Sequence, residues 1–374
     1  MRRKIATAKV SLTRVDKDLY AAVIKAIDEL GQQVITPGDC VLIKPNLVRS
    51  EDPESGEITH FSLIEAVAGY CLDCGAAEVI IGEGPSYYQP KSRLRDCFTS
   101  TGVSEIAHRL GVKWVIFDEH SYRTFREVSD CTPNEFRITE FVFNCDKLIN
   151  LPVLKTHYLT TVSLAMKNLK GCLKREDKIL FHQPDLSRAV VELNKIIRPT
   201  FNIIDATKWK AGGLLISSSD VVATDSVGCA LMQIDPMKVR MIALGAAAGL
   251  GEADITRTDI SGEELKLLKL KVQLPQEKLQ QSFPKLEIVG ADKACSGCLI
   301  PLISTLTLLQ EQGVKTRNQL TIYLGKDPQM QEDTPYLLIG DCAEVKGKER
   351  DNMVGGCPPD RETILNSLVQ AMVE

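Results

Sequence analysis

Four cysteines near the C-terminal end have the types and spacing for metal chemistry. Cys295 and Cys298 form Cys-Ser-Gly-Cys, Cys342 follows in Gly-Asp-Cys, and Cys357 in Gly-Gly-Cys-Pro-Pro. Each lies beside or within two residues of glycine, where a turn or an element end is expected. Four thiolates that converge make a tetrahedral metal site or an iron–sulfur site. The intervals of 2, 43 and 14 residues between successive cysteines match neither a zinc ribbon nor a bacterial ferredoxin run. Two details favour iron–sulfur. Cysteine followed by proline recurs in cluster-binding runs. Pro358, Pro359 and Asp360 open an expected helix, whose N-terminal amides stabilise a thiolate or an anionic cluster. The expected cofactor is therefore an iron–sulfur cluster of the 4Fe-4S type, with zinc as the alternative. The plain alternative is four ordinary reduced cysteines, some buried as small hydrophobes.

A second set of polar residues occupies the centre of the chain. Lys155-Thr156-His157 follows an apolar run ending in Leu154, and Lys167-Asn168 comes ten and eleven residues after His157. Earlier, Val41-Leu42-Ile43 runs into Lys44-Pro45-Asn46. Lysine and histidine at the carboxyl end of a strand suit anion binding and proton transfer. The competing reading is a solvated loop whose cations cover a helix end. For the cluster as a whole the functional reading is the better one, because loops after α/β strands carry function disproportionately.

Those residues need elements to position them. Short β-branched runs alternate with helical stretches: Val41–Ile43, a helix from about Ser62 to Cys74 with a Ser62/Glu65 capping box, Glu78–Ile81, a helix over 104–110, Lys113–Phe117, Lys147–Leu151 and Phe201–Asp205. This rhythm predicts an α/β protein with a mostly parallel sheet and flanking helices. Ligands in such sheets bind outside the carboxyl ends of the strands. Residues 252–290 read as a charged connector with a helix over 262–269 and an edge strand over 285–289. A smaller C-terminal α/β unit follows, carrying the four cysteines: helix 299–312, strands 319–324 and 336–340, and a last helix 360–373. The expected domains are 1–290 and 291–374. Asp225 reads as the start of a helix, and Asp205 as another candidate cap.

Bulk properties narrow the function. The chain has 374 residues, a net charge of −4 and 25% charged residues. That balance argues against a nucleic-acid partner. No apolar stretch of eighteen residues exists, so no membrane span is expected. Twelve cysteines without a secretory signal point to a reducing, cytoplasmic setting. Walker A, GxSxG and HExxH sequences are absent.

Ile43-Lys44-Pro45-Asn46, Leu151-Pro152-Val153-Leu154-Lys155-Thr156-His157, Ala165-Met166-Lys167-Asn168-Leu169-Lys170-Gly171 and Ile204-Asp205-Ala206 occur in the order seen in the domain family of unknown function called DUF362. The chain resembles that family over roughly residues 1–290. Many members carry ferredoxin-like four-iron motifs; this chain has the sparse cysteine set instead. The resemblance implies the fold and the importance of Lys44, Lys155, His157, Lys167 and Asn168, and names no substrate. The function expected from these readings is an iron–sulfur protein, a cluster-dependent or redox-linked oxidoreductase or lyase acting on a small carboxylate or phosphate. His157, Lys155 and Lys167 are the catalytic candidates, Lys44, Asn46 and Asn168 the substrate-binding ones. An electron-transfer or client protein is a further expected partner. The alternatives are a non-redox enzyme with structural zinc and a metal- or cluster-handling maturation factor.

Overall fold

The computed structural model describes residues 7–48, 50–87, 90–182, 185–291, 294–326, 328, 334–343 and 352–373. Its strands are β1 (Ala8–Arg14), β2 (Cys40–Pro45), β3 (Glu78–Glu83), β4 (Lys113–Ile116), β5 (Tyr122–Arg126), β6 (Glu135–Thr139), β7 (Lys147–Leu151), β8 (Thr156–His157), β9 (Thr161–Val162), β10 (Phe201–Ala206), β11 (Leu214–Ser218) and β12 (Thr258–Gly262) in a first unit. A second unit holds β13 (Leu286–Val289), β14 (Leu320–Leu324), β15 (Tyr336–Ile339) and β16 (Met353–Val354). The first unit comprises Met1–Phe181 and Leu186–Val272, the second His182–Asp185 and Gln273–Glu374. The second unit thus begins ahead of the 290/291 boundary read from composition, because β13 pairs in parallel with β14.

The large sheet has the order β12-β1-β11-β10-β7-β2-β3-β4. β11 lies antiparallel between β1 and β10, and the other five pairings are parallel. The short connection from β10 to β11 permits an antiparallel neighbour, whereas the parallel pairs need crossovers. Both faces are covered, so the strands read as unbroken apolar runs and not as alternations. In β2, Val41 and Ile43 pack into one apolar layer with Val79, Ile81, Ile149 and Leu151. Leu42 between them packs into the opposite layer with Ile80, Leu148, Phe117 and Phe181.

Local expectations meet corrections at several ends. The second helix runs Phe61–Asp73, and its cap is His60, whose ring accepts the Ser62 amide at 3.3 Å; Glu65 pairs with Arg109 at 2.5 Å and forms no capping box. The connector contains β12, which joins the large sheet beside β1; the helix expected over 262–269 is a single turn, Leu265–Leu268, and a longer helix follows at Pro275–Ser282. β12 is polar (Thr-Asp-Ile-Ser-Gly) because it is an edge strand, and an apolar run does not mark it. In the second unit the four strands form one sheet, β13-β14-β15-β16, parallel throughout. Its helices include Ser296–Glu311 and Arg361–Val373, the latter capped by Asp360, which accepts the Thr363 amide at 2.8 Å.

Candidate functional site

The carboxyl ends of neighbouring strands β2 and β7 carry the central polar set. Lys44 closes β2 with its side chain fully buried. Its ammonium donates to both oxygens of Glu83 at 2.9 and 2.8 Å, to the Pro45 carbonyl at 2.9 Å and to Asn168 Oδ1 at 3.4 Å. Glu83 ends the adjacent β3 and also accepts the amides of Leu47 (3.2 Å) and Gly84 (2.9 Å). A buried ion pair is tolerable only with such extra bonds, since desolvation of each ion costs several kcal/mol. Asn46 Nδ2 donates to Asn168 Oδ1 at 3.0 Å, and Lys155 donates to Asn46 Oδ1 at 3.3 Å and to the Glu57 carbonyl at 2.5 Å. Asn168 Nδ2 in turn donates to Asn150 Oδ1 at 2.8 Å, and Asn150 to Asn202 at 2.9 Å. One continuous network therefore joins Lys44, Asn46, Lys155 and Asn168.

The segment carrying Lys167 and Asn168 is a single helical turn, Ala165–Asn168, too short to stand on its own propensity. Asp225 holds it. The expectation that Asp225 starts a helix is overturned: Asp220 caps the Val221–Leu231 helix, and Asp225 lies inside it, completely buried. Asp225 instead caps its neighbour, accepting the amides of Ala165 (2.6 Å) and Met166 (3.1 Å). Burial pushes its carboxyl up to about 7, against the pull of those two amides.

Next along the chain the lysines crowd. Burial, then the charge of Lys155, lowers Lys167 to about 7. Burial, then Lys167 and Lys178, puts Lys170 well below the ordinary lysine range. Lys178 is lowered by burial and by Lys44, with Glu83 and Asp118 opposing, and it donates to the Gly84 and Pro85 carbonyls at 2.5 and 3.0 Å. Glycine is required at 171: a Cβ there would lie 2.0 Å from Glu83 Oε1 and 2.5 Å from Lys44 Nζ. Glu83, Lys170 and Lys178 were missed as site residues. Glu83 follows the apolar run Val79–Ile81 between two glycines, and only the pairing of β2 with β3 brings it to Lys44.

His157 sits in the small β8–β9 hairpin. Its Nδ1 accepts the amides of Leu159 (3.1 Å) and Thr160 (3.3 Å), so the neutral ring carries its proton on Nε2. Proton chemistry at His157 is thereby restricted to Nε2. A cavity of about 150 Å³ is lined by Ile58, His60, Val153, Leu154, Asp205 and Trp209 among others, and His157 is not part of its lining. Lys155 borders it, following Leu154 in sequence and bonding Glu57 between the lining residues Gly56 and Ile58. Asp205 is not a helix cap; it accepts the His60 amide at 2.8 Å and the Thr207 amide at 3.0 Å.

In the second unit the cysteines share one end of the sheet. Cys295 caps the helix that follows β13, Cys298 lies in its first turn, Cys342 follows β15 and Cys357 follows β16. In a parallel sheet these are all carboxyl ends. The loops are tied together: the Gly356 amide donates to Asp341 Oδ1 at 2.6 Å and the Gly340 amide to the Val354 carbonyl at 2.9 Å. Cys298 is buried against Gly340, where φ is +88° and a Cβ would come within 2.4 Å of its sulfur. The Cys298 thiol is raised by its hydrogen bond with Cys295 and by burial, then by the charges of Cys295, Cys342 and Cys357; Cys295 is correspondingly lowered. Among the described residues, no group of three or more His, Cys, Asp or Glu side chains is already placed to hold a metal ion.

A family model, "Domain of unknown function (DUF362)", matches residues 41–230. The chain belongs to the DUF362 family. The matched span contains every lysine of the first-unit site and none of the four cysteines. The chain is also similar to the thylakoid-associated protein sll1697 of Synechocystis sp., 29% identical over 251 residues, which is 62% of this chain and 75% of that protein. Among solved structures, the lactate racemase apoprotein from Thermoanaerobacterium thermosaccharolyticum aligns with 14% identity and a TM-score of 0.37, over 61% of this chain and 58% of that one. Among the described residues no helix is long and apolar enough to cross a membrane.

Proposed function

We propose that this DUF362 protein binds and transforms a small anionic molecule, a carboxylate or a phosphate, at the lysine-rich end of β2 and β7. The observation that carries the reading is the hydrogen-bonded chain Lys155–Asn46–Asn168–Lys44, with Lys167 and Lys170 crowded against it. Ammoniums that depress one another's protonation are relieved by an incoming anion. Lys155 and Lys167 would meet the anion, and Asn46 and Asn168 would hold its orientation. Lys44, saturated by Glu83, would fix the asparagines. His157 would exchange a proton at Nε2. A protein this rich in free thiols fits a cytoplasmic, reducing setting.

The second part of the proposal is an iron–sulfur cluster held by Cys295, Cys298, Cys342 and Cys357. What supports the reading is the donor chemistry: four thiols follow the carboxyl ends of three parallel strands, two of them at a helix N-terminus, and holding a cluster would require their side chains to converge. A cluster bound there would supply redox or Lewis-acid chemistry. The test for the first unit is calorimetric titration of the full chain with inorganic phosphate, acetate and malonate. At least one should bind, and Lys155→Ala should weaken it by tenfold or more while leaving the melting temperature within a few degrees. Binding by none of the three, or binding indifferent to Lys155→Ala and Lys167→Met, would remove the proposed site.

A further inference from the structure

The amino ends of the same two strands carry a different pair. Cys40 opens β2, and Cys145 stands two residues ahead of β7, its parallel neighbour, with Val41 opposite Lys147. The two sulfurs are 3.2 Å apart, and both residues are partly exposed. Asp146 clamps the segments together: its amide donates to the Cys40 carbonyl at 2.8 Å, and its carboxylate accepts the Cys40 amide at 2.8 Å. Neighbouring strands lie about 4.8 Å apart, which places this pair within the Cα separations of about 4.4–6.8 Å that a disulfide spans. Closing the bond needs the sulfurs to approach by only about 1 Å, within the reach of small side-chain rotations. None of the residues proposed for anion or cluster binding takes part.

We propose that Cys40 and Cys145 form a dithiol–disulfide site whose co-reactant is a low-molecular-weight or protein disulfide. The Cys40 thiolate attacks one sulfur of the oxidant, and the first thiolate leaves. The Cys145 thiolate then attacks the Cys40 sulfur and expels the second. Two protein thiols lose two electrons and two protons, and one oxidant disulfide becomes two thiols. Burial raises both thiols, but the hydrogen bond between them lowers Cys40 and raises Cys145. The charged groups facing the pair are Glu78 on β3, 3.6 Å from Cys40, with its partner Lys113 on β4, and Asp146, with the Asp39–Lys147 pair at 3.8 Å. The nearest of these are carboxylates, so exchange accelerates as pH rises. The product closes a loop of 105 residues between the two strands that carry Lys44 on one side and Asn150 on the other. Such a link restricts the unfolded chain most.

The test uses the full chain, oxidised glutathione at about pH 9 to favour thiolate, and peptide mapping without reductant. The expected result is a linked Cys40–Cys145 peptide, loss of alkylation at both positions, a higher melting temperature, and reversal by dithiothreitol. Cys145→Ser should instead trap glutathione on Cys40, and Cys40→Ser should abolish the linked peptide. Wild-type chain in which both thiols stay alkylatable, or in which each carries its own glutathione, overturns the proposal. The wild-type map decides the matter even if a variant fails to fold.

Discussion

Lys167 is the residue where burial and a neighbouring charge meet. Its folded-state value of about 7 lies far below the ordinary lysine value, so between about pH 7 and pH 10 the unfolded chain binds a proton that the folded chain does not. Stability from this group therefore rises with pH across that window, and Lys167→Met should reduce the rise in urea titrations by its share, leaving that of Lys170 and Lys178. The same depression predicts the sign of anion binding. An anion restores the proton, so affinity should strengthen as pH falls from about 8 to about 6, with proton uptake seen as a buffer-dependent heat. Lys167→Met should flatten that profile; an affinity independent of pH in the wild type would contradict it. The Lys44–Glu83 pair makes a second residue-scale prediction. Either Lys44→Met or Glu83→Gln alone strands a buried partner and should cost about 3–5 kcal/mol in unfolding free energy. Lys44→Met with Glu83→Gln together should cost clearly less than the sum, which a double-mutant cycle would read.

At the scale of elements, the Ala165–Asn168 turn owes its position to a residue on another helix. Asp225→Ala removes the acceptor of two amides in a fully buried place and should lower stability by about 1–3 kcal/mol, with anion affinity falling as Lys167 and Asn168 lose their footing. Asp225→Asn keeps one acceptor and should be milder in both readouts. Gly171 belongs to the same scale. Gly171→Ala places a methyl group against the Lys44–Glu83 pair and should destabilise by about 1–3 kcal/mol through overpacking. Normal stability in that variant would show that the turn after Asn168 can move away from the pair.

For the whole molecule, the test is what each unit carries. Anaerobic reconstitution with iron and sulfide, followed by metal and acid-labile sulfide analysis, should load the wild-type chain with iron, and Cys342→Ser or Cys295→Ser should lose most of it while the circular dichroism of the fold remains. Zinc at one ion per chain without sulfide would return the site to the zinc alternative. The apolar runs of β2, β3, β7 and β10, and most helix ends, were legible in the sequence because a doubly covered parallel sheet writes uninterrupted β-branched segments between caps. The placing of Lys44, Asn46 and Lys155 at or just after strand ends was legible too, because each follows an apolar strand run directly in the chain. Strand order was not. Which strands flank β2 depends on packing across the sheet; β3 on one side brings Glu83 to Lys44, and β7 on the other brings Cys145 to Cys40. Asp225 was misread for the same reason: its partners are 59 and 60 residues away, and local spacing reports only the helix that contains it. The sequence by itself determined which segments are buried and which residue types end the strands; the tertiary structure decided which charges face one another, because electrostatic partners are set by distance in space and not by distance along the chain.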